Sequence, residues 1–266
     1  MNLILIEPPE LEAGAGAAAG VEAGTPAEGE RSARRGTVRL RDRRARHLID
    51  VLGVTPGATV RVGLLDGPLG EGEVIAVGRG EVSLRCRFER GVPPRPRVDL
   101  LLAMPRPKVL KRLWAPLASL GVGRVLLTRA EKVEKAYFDS HAVDPSRIRP
   151  RLLEGLEQAL DTRLPEVEVH RRFRPLVQDR LPELGPYERR LVADPAYAAS
   201  SRSAVRGVAG RALLGVGPEG GWTDVERDLL EAQGFVGVGL GPRVLRTDVA
   251  VVALLALLRD GMEAAC

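Results

Sequence analysis

The sequence has few of the residues on which disulfide frameworks and metal sites depend. Cysteine occurs only twice in 266 residues, at Cys86 and Cys266, and the three histidines are scattered. Two cysteines are too few for a disulfide framework, and neither they nor the histidines have metal-ligand spacing. We therefore expect no metal, and the sparse use of cysteine predicts a protein of the reducing cytoplasm.

Long hydrophobic runs and a secretory signal are also lacking. The longest apolar run, residues 249–258, is about half as long as a membrane span. The N-terminal stretch has no basic region before its short apolar run, unlike a signal peptide. We expect no membrane segment. Aromatic residues are only 3% of the chain, so leucine, valine and alanine must fill the core, and 266 residues suggest two domains.

Lysine is scarce among the cations, because 36 of the 40 basic residues are arginine. Arginine pairs with phosphate and stacks on bases, although a GC-rich genome also inflates arginine. Residues 31–46 carry eight arginines against one aspartate. Such a cluster holds phosphates without reading sequence, while the alternative is a solvated charged face. The charge suggests an anionic partner without identifying it.

The first part of the chain predicts a small β-barrel domain over residues 1–90. Short strand-like runs at residues 3–6, 58–64, 70–77 and 81–88 are separated by glycine-rich turns. Residues 10–30, rich in glycine, alanine and glutamate, predict a flexible insertion. Three prolines in residues 91–97 indicate a linker.

The second part, residues 97–266, alternates buried strands with helices, which indicates a parallel sheet in an α/β domain. The predicted strands cover residues 98–103, 124–128, 166–172, 191–193, 211–216 and 236–240. The predicted helices cover residues 108–120, 146–159, 224–233 and 248–259.

The most informative motif is Gly215-Val-Gly-Pro-Glu-Gly-Gly-Trp222, which leads from a strand into a helix. Thr223 and Glu226 form a capping-box pattern, and Gly234 suits the position that ends the helix. Such a loop presents backbone donors at the carboxyl edge of a sheet. The motif also matches a dinucleotide fingerprint, but no acidic residue follows the next strand, and a purely structural turn is a further alternative.

A second loop, Leu240-Gly-Pro-Arg-Val-Leu-Arg-Thr-Asp248, again leaves a strand and enters a helix. Thr247 is the predicted N-cap, and Asp248 suits the positive end of the helix. Two loops of this kind, so close in the sequence, predict one shared pocket.

Together these two motifs resemble the SPOUT methyltransferases, and within them the ribosomal RNA small subunit methyltransferase E family, which methylates N3 of a uridine in 16S rRNA. Residues 3–7, 43–51, 57–63, 105–111, 131–137 and 157–158 also lie where that family has characteristic residues. The resemblance covers nearly the whole chain except residues 10–30. This chain has Gln158-Ala-Leu-Asp161 where family members often have Gln-Ser-Gly-Arg, and it has Asp248 where they have glutamate.

The resemblance implies a deep trefoil knot in the α/β domain, a PUA-like first domain, S-adenosylmethionine as cofactor, and a homodimer acting on the small ribosomal subunit. It further implies two sets of site residues. The cofactor-binding set is Gly217, Pro218, Glu219, Gly220, Gly221, Leu240, Gly241, Arg243, Leu245 and Thr247. The RNA-binding set is Arg34, Arg35, Arg43, Arg44, Arg46 and Arg243.

The catalytic set follows from the reaction. Methylation at N3 of uracil needs a base, or cations that stabilise the developing anion. We predict that Arg246 stabilises charge, with Glu219 or Asp248 as candidate base. Two alternatives stay open, namely methylation of another RNA atom such as a ribose 2′-oxygen, and a non-catalytic RNA-binding protein of ribosome assembly.

Overall fold

The computed structural model describes residues 3–13 and 34–263, which form two compact units. The first unit contains the described residues up to Pro94 and a return segment, Leu156–Arg163. The second contains Arg95–Gly155 and the described chain from Leu164 onward. Sequence analysis placed residues 97–266 in one domain, so the return segment is a difference from that assignment.

The first unit is built on one six-stranded mixed sheet. Its strands are β1 (Ile4–Ile6), β2 (Glu12–Ala13), β3 (Arg35–Leu40), β4 (Thr59–Leu64), β5 (Leu69–Val77) and β6 (Val82–Phe88). The strand order is β1-β4-β5-β6-β3-β2, in which only β1 and β4 pair in parallel. The four strands predicted from hydrophobic runs are confirmed with small shifts of their ends.

Strand β3 was not predicted, because its arginines masked an alternating pattern. Val38 and Leu40 are buried, whereas Arg35 and Arg39 on the opposite face are exposed. Alternation of this kind places one face of a strand on the core. A short helix, α1 (Arg43–Arg46), follows β3 and continues as a π-helical turn over His47–Val51.

The predicted flexible insertion, residues 10–30, is wrong at its beginning. Glu10 ends a 3-10 turn, Pro8–Glu10, and its carboxylate accepts a hydrogen bond from the Glu7 amide at 2.8 Å. Strand β2 pairs with β3, with Glu12 opposite Thr37. The rest of the predicted insertion, from residue 14, lies outside the described residues.

The return segment joins the first unit through specific hydrogen bonds. The Thr162 hydroxyl donates to the Gly67 carbonyl at 2.6 Å, and the Asp66 amide donates to the Thr162 carbonyl at 2.8 Å. The guanidinium of Arg43 donates two bonds of 2.8 Å to the buried carboxylate of Glu157. A paired buried carboxylate avoids the desolvation cost of an isolated charge.

The second unit is built on a six-stranded parallel sheet, which confirms the α/β prediction. Its strands are β7 (Val98–Ala103), β8 (Val122–Thr128), β9 (Glu166–His170), β10 (Arg189–Ala193), β11 (Ala212–Val216) and β12 (Phe235–Val238). The order is β12-β10-β11-β7-β8-β9, and all five pairings are parallel. Every residue of the adjacent strands β7 and β11 is buried, as expected for strands covered on both faces.

Helices connect these strands. They are α2 (Pro107–Ser119), α3 (Pro145–Ala159), α4 (Phe173–Pro175), α5 (Leu181–Glu183), α6 (Ser201–Ala204), α7 (Asp224–Ala232) and α8 (Thr247–Glu263). The four long predicted helices correspond to α2, α3, α7 and α8, whereas the helical stretch from α4 to α5 was not predicted. Within the part of the chain that the structure describes, no helix combines the length and the apolar character needed to cross a bilayer.

Candidate functional site

Three neighbouring strands of the parallel sheet end at one cavity. Strands β10, β11 and β12 are adjacent, and the loops that leave their carboxyl ends meet there. This edge is where α/β proteins bind ligands. The cavity is lined by Ala193, Asp194, Pro195, Val216, Gly217, Pro218, Glu219, Gly221, Val238, Gly239, Leu240, Gly241, Arg243, Val244, Leu245, Thr247, Ala250 and Leu254.

The loop after β11, residues 217–223, is shaped by glycine and by a helix cap. Gly221 has φ +68°, a conformation that suits glycine, and its amide donates to the Pro218 carbonyl at 2.8 Å. A Cβ on Gly217 would lie 3.1 Å from the indole nitrogen of Trp222, so a side chain there would press on the buried ring. The predicted capping box of Thr223 and Glu226 is confirmed.

The loop after β12, residues 239–247, lies against the loop that follows β10. The Gly239 amide donates to the Ala199 carbonyl at 2.8 Å, and Gly241 has φ +88°. Helix α8 starts at Thr247, and the Arg246 carbonyl accepts the first helical bond from the Ala250 amide at 2.8 Å. Arg246 is therefore the N-cap, and the prediction of Thr247 for that position is wrong by one residue.

Asp248 is held between two arginines at the start of α8. Its Oδ2 accepts hydrogen bonds of 2.9 Å from Arg112 and from Arg246. Partial burial disfavours the charged form, but the Arg112 hydrogen bond and both arginine charges outweigh it and lower the pKa of Asp248. A carboxylate with a lowered pKa is a weak proton acceptor near neutral pH. Asp248 is thus better suited to orient Arg246 than to act as a base.

Glu219, the other candidate base, lies exposed at the mouth of the cavity. Its Oε1 accepts a hydrogen bond of 3.1 Å from the Arg106 amide, in the segment between β7 and α2. Gly220 is not part of the lining, and its carbonyl accepts a bond of 2.8 Å from the Lys132 ammonium. The glycine loop is therefore connected to the segments that follow both β7 and β8.

Most of the predicted cofactor-binding residues line this one cavity. Of that set only Gly220 is outside the lining, and of the catalytic set only Glu219 is within it. Sequence analysis missed Asp194 and Pro195, which follow β10, and Ala250 and Leu254 on α8. The available signal for Asp194 was an acidic residue directly after a buried strand.

The arginines predicted to bind RNA divide into two groups in the first unit. Arg34, Arg35 and Arg46 are exposed. Arg44, by contrast, is buried: it donates to the Leu5 carbonyl at 2.6 Å and pairs with Glu10 at 2.5 Å and with Asp42 at 2.8 Å. This guanidinium is committed to internal partners, which argues against the prediction that Arg44 binds RNA.

Arg43 is also engaged internally, through its paired bonds to Glu157, although its side chain stays 42% exposed. Arg243 lies in the other unit, exposed at the cavity. Among residues 3–13 and 34–263, no three His, Cys, Asp or Glu side chains are grouped so that they could hold a metal ion.

The departure at residues 158–161 has a local structural explanation. Leu160 follows α3 with φ +59°, the left-handed conformation typical of the residue that ends a helix, and the Asp161 amide donates to the Leu156 carbonyl at 3.1 Å. The Asp161 carboxylate accepts bonds from the amides of Thr162 (2.6 Å) and Arg163 (3.0 Å). Asp161 therefore caps its own turn.

Comparison with known proteins agrees with this geometry. Residues 93–259 match the family model described as "RNA methyltransferase domain". The chain is 30% identical over 226 residues to ribosomal RNA small subunit methyltransferase E of Treponema pallidum, covering 82% of this chain and 83% of that protein. It is 24% identical over 222 residues to ribosomal RNA small subunit methyltransferase E 1 of Borreliella burgdorferi, covering 81% and 89%.

A solved structure shares the fold. The Neisseria gonorrhoeae ribosomal RNA small subunit methyltransferase E, determined bound to S-adenosyl methionine, superposes with a TM-score of 0.73 at 21% identity, covering 98% of this chain and 97% of that one. The family-model match and the extent of the Treponema similarity together show that this chain belongs to the ribosomal RNA small subunit methyltransferase E family.

Proposed function

We propose that this protein transfers a methyl group from S-adenosylmethionine to N3 of a uridine in the 16S rRNA of the small ribosomal subunit. Membership of the family makes it a methyltransferase of ribosomal RNA. The observation that carries the finer proposal is the cavity where the loops after β10, β11 and β12 meet.

The residues of this cavity fit a nucleoside joined to an amino acid. Val216, Val238 and Leu254 supply apolar walls suited to an adenine ring. The glycine-rich loops bring backbone close to the ligand, as nucleotide sites require. The carboxylate of Asp194, only 13% exposed, lies in the same wall and offers an acceptor for hydroxyl or ammonium donors.

S-adenosylmethionine supplies a methyl group already activated on a sulfonium, so the protein has to position and stabilise. The uracil N3–H loses its proton as N3 takes the methyl group, and negative charge develops on the uracil ring. Arg246 is 68% exposed and is oriented by Asp248. A preorganised guanidinium of this kind stabilises the developing charge, with Glu219 left as the candidate proton acceptor.

N3 lies on the pairing edge of uracil, so the target base must be unpaired or turned out of its helix before it reacts. The exposed Arg34, Arg35 and Arg46 of the first unit and Arg243 at the cavity are the arginines that we assign to RNA phosphates. Contacts to phosphate fix the register of the RNA but do not read its sequence. Recognition of the target base is therefore left to residues at the carboxyl edge of the parallel sheet.

The proposal extends to the finer features implied by the family. These are a PUA-like fold for the first unit, a deep trefoil knot in the second, a homodimer and a cytoplasmic location. The apolar side chains of Val244, Val249 and Val252 support the dimer, since they are 84%, 49% and 37% exposed near the cavity and on α8. Exposed apolar groups of this kind favour a protein partner.

The test is methyl transfer from labelled S-adenosylmethionine to small-subunit particles and to naked 16S rRNA, with the product nucleoside identified by mass spectrometry. We expect N3-methyluridine. A methylated ribose would refute the target atom while keeping the fold and the cofactor. Binding of RNA without cofactor binding or methyl transfer would instead support a non-catalytic assembly protein.

A further inference from the structure

Aromatic side chains are rare in this protein, and most are unavailable to a ligand. All nine lie within the described residues. Six of them are buried, and they are Phe88, Trp114, Phe138, Phe173, Trp222 and Phe235. Only the three tyrosines are partly exposed.

The rings of two of these tyrosines are covered by neighbouring groups. The guanidinium carbons of Arg190 and Arg211 lie 6.0 Å and 5.4 Å from the centroid of the Tyr187 ring. The Tyr187 hydroxyl donates to the buried carboxylate of Asp99 at 2.6 Å. Tyr197 donates to Glu231 at 3.2 Å, and its ring lies against β12 so closely that a Cβ on Gly237 would be 2.4 Å from it. Tyr137 is therefore the aromatic side chain left to consider.

Tyr137 lies in the segment that follows β8, at the carboxyl edge of the parallel sheet. That segment is held at one end by the bond from Lys132 to the Gly220 carbonyl, and at the other by a 3.0 Å bond from Arg171 to the Phe138 carbonyl. The Tyr137 hydroxyl donates to Glu134 at 2.9 Å, which orients the ring.

The Tyr137 hydroxyl is neutral beside the carboxylate of Glu134. The hydrogen bond to Glu134 is the main cause of a raised pKa for Tyr137, so the hydroxyl stays protonated. The segment that carries Tyr137 is bonded through Lys132 to the Gly220 carbonyl, next to Glu219 at the mouth of the cavity.

The same edge also carries all the lysines of the protein. Lys108 and Lys111 follow β7, Lys132 and Lys135 follow β8, and all four are exposed. Exposed lysines and an aromatic ring on loops at one edge of a sheet are the combination with which proteins hold single-stranded nucleic acid.

We propose that Tyr137 forms a binding site for one unpaired RNA base, which stacks on its ring while the four lysines hold the neighbouring phosphates. This inference rests on the proposed function. Unpaired RNA bases are bound by stacking on aromatic side chains, and among the described residues those lining the cavity include no aromatic ring. The ring of Tyr137 would supply the aromatic surface on which the base stacks.

The experiment measures binding, so it does not depend on turnover. The full chain and its Tyr137→Ala, Tyr137→Leu and Tyr137→Phe variants are titrated, by fluorescence anisotropy, with labelled oligouridine and with an abasic strand of equal length. Stacking on an aromatic side chain contributes roughly 1–3 kcal/mol per base, or about 5- to 150-fold in affinity.

We expect Tyr137→Ala and Tyr137→Leu to lose about 5- to 150-fold in affinity for oligouridine and nothing on the abasic strand, while Tyr137→Phe stays close to the wild type. Equal losses on both strands would overturn the base site, as would a wild type that does not distinguish the strands. The product nucleoside of the transfer assay is read separately, so failure of the proposed function would be recognised independently.

Discussion

The loops at the carboxyl edge of the parallel sheet and the arginine-rich segment of residues 34–46 both stand out in the sequence, but they differ in how far the sequence specifies their roles. Residues of the two loops converge on one cavity. The arginines of the segment divide between the surface and the core, with Arg35 exposed and Arg44 buried. A glycine motif specifies a backbone conformation, whereas a count of arginines specifies only charge. Carboxylates within the protein can pair with those arginines and make them unavailable to RNA.

The largest effect is expected on kcat, from a substitution at the carboxyl edge of the parallel sheet. Replacement Arg246→Ala removes the guanidinium that Asp248 orients, and we expect kcat to fall about 10²- to 10³-fold, as for loss of one preorganised donor. S-adenosylmethionine affinity should change little. The matched control is Arg112→Ala, which removes the other partner of the same carboxylate. An Arg246→Ala enzyme with normal kcat would contradict the role.

The next effect sharpens the contrast within the arginine segment. Replacement Arg44→Met leaves Glu10 and Asp42 without their shared partner, and we expect a loss of about 1.5–3 kcal/mol in the free energy of unfolding, measured in urea. The exposed control Arg46→Met should stay within about 0.5 kcal/mol. It should instead weaken RNA binding and reduce its salt dependence by about one phosphate contact.

The same cluster predicts acid sensitivity. Burial disfavours the charged forms of Glu10 and Asp42, but hydrogen bonds from Arg44 outweigh it and lower the pKa of both groups. Their contribution to stability is therefore present above the unfolded pKa values and is lost as the pH falls through the lowered folded values. Unfolding free energies measured against pH should show this loss in the wild type and less of it in Arg44→Met.

A smaller effect on cofactor affinity is expected from displacing the loop after β10, which carries Asp194 and Pro195 of the cavity lining. A Cβ on Gly239 would lie 2.0 Å from the Tyr197 carbonyl oxygen, so Gly239→Ala must displace the loop after β10. We expect S-adenosylmethionine affinity, measured by calorimetry, to fall at least about tenfold, or about 1.4 kcal/mol. Gly91→Ala, where a Cβ would meet nothing within 4 Å, is the control. Equal affinities in the two variants would contradict this arrangement.

The smallest effect concerns the turn after α3. Leu160 has φ +59°, a conformation that glycine adopts without steric cost and β-branched residues adopt poorly. We expect Leu160→Gly to be at least as stable as the wild type and Leu160→Val to lose about 1 kcal/mol or more in thermal unfolding. The opposite ranking would show that packing of the leucine, rather than its backbone, decides stability there.

Sequence reasoning succeeded where the determining interactions are local. The capping box of Thr223 and Glu226 spans four residues and can be read directly, and the buried strand β7 is one apolar run. Sequence reasoning failed where segments distant in the sequence determine a residue's position or burial. Asp194 joins the cavity only because β10 lies between β11 and β12, and Arg44 is buried only because Glu10 and the Leu5 carbonyl receive it.

Two further failures have physical causes of the same kind. The return segment belongs to the first unit through hydrogen bonds to residues about 95 positions earlier, such as Thr162 to Gly67, and no local pattern reports such contacts. Strand β3 was hidden because exposed arginines alternate with buried Val38 and Leu40, so the charge of the segment obscured its period of two.

The most direct test of the central claim is hydrogen exchange of the full chain with and without S-adenosylmethionine. We expect backbone amide hydrogen exchange to become slower on cofactor addition in residues 217–223, 239–247 and the loop beginning at Asp194, and to stay unchanged in residues 34–46. Protection that is absent from the edge loops, or that is concentrated in the arginine segment, would contradict the assignment of the cavity as the cofactor site.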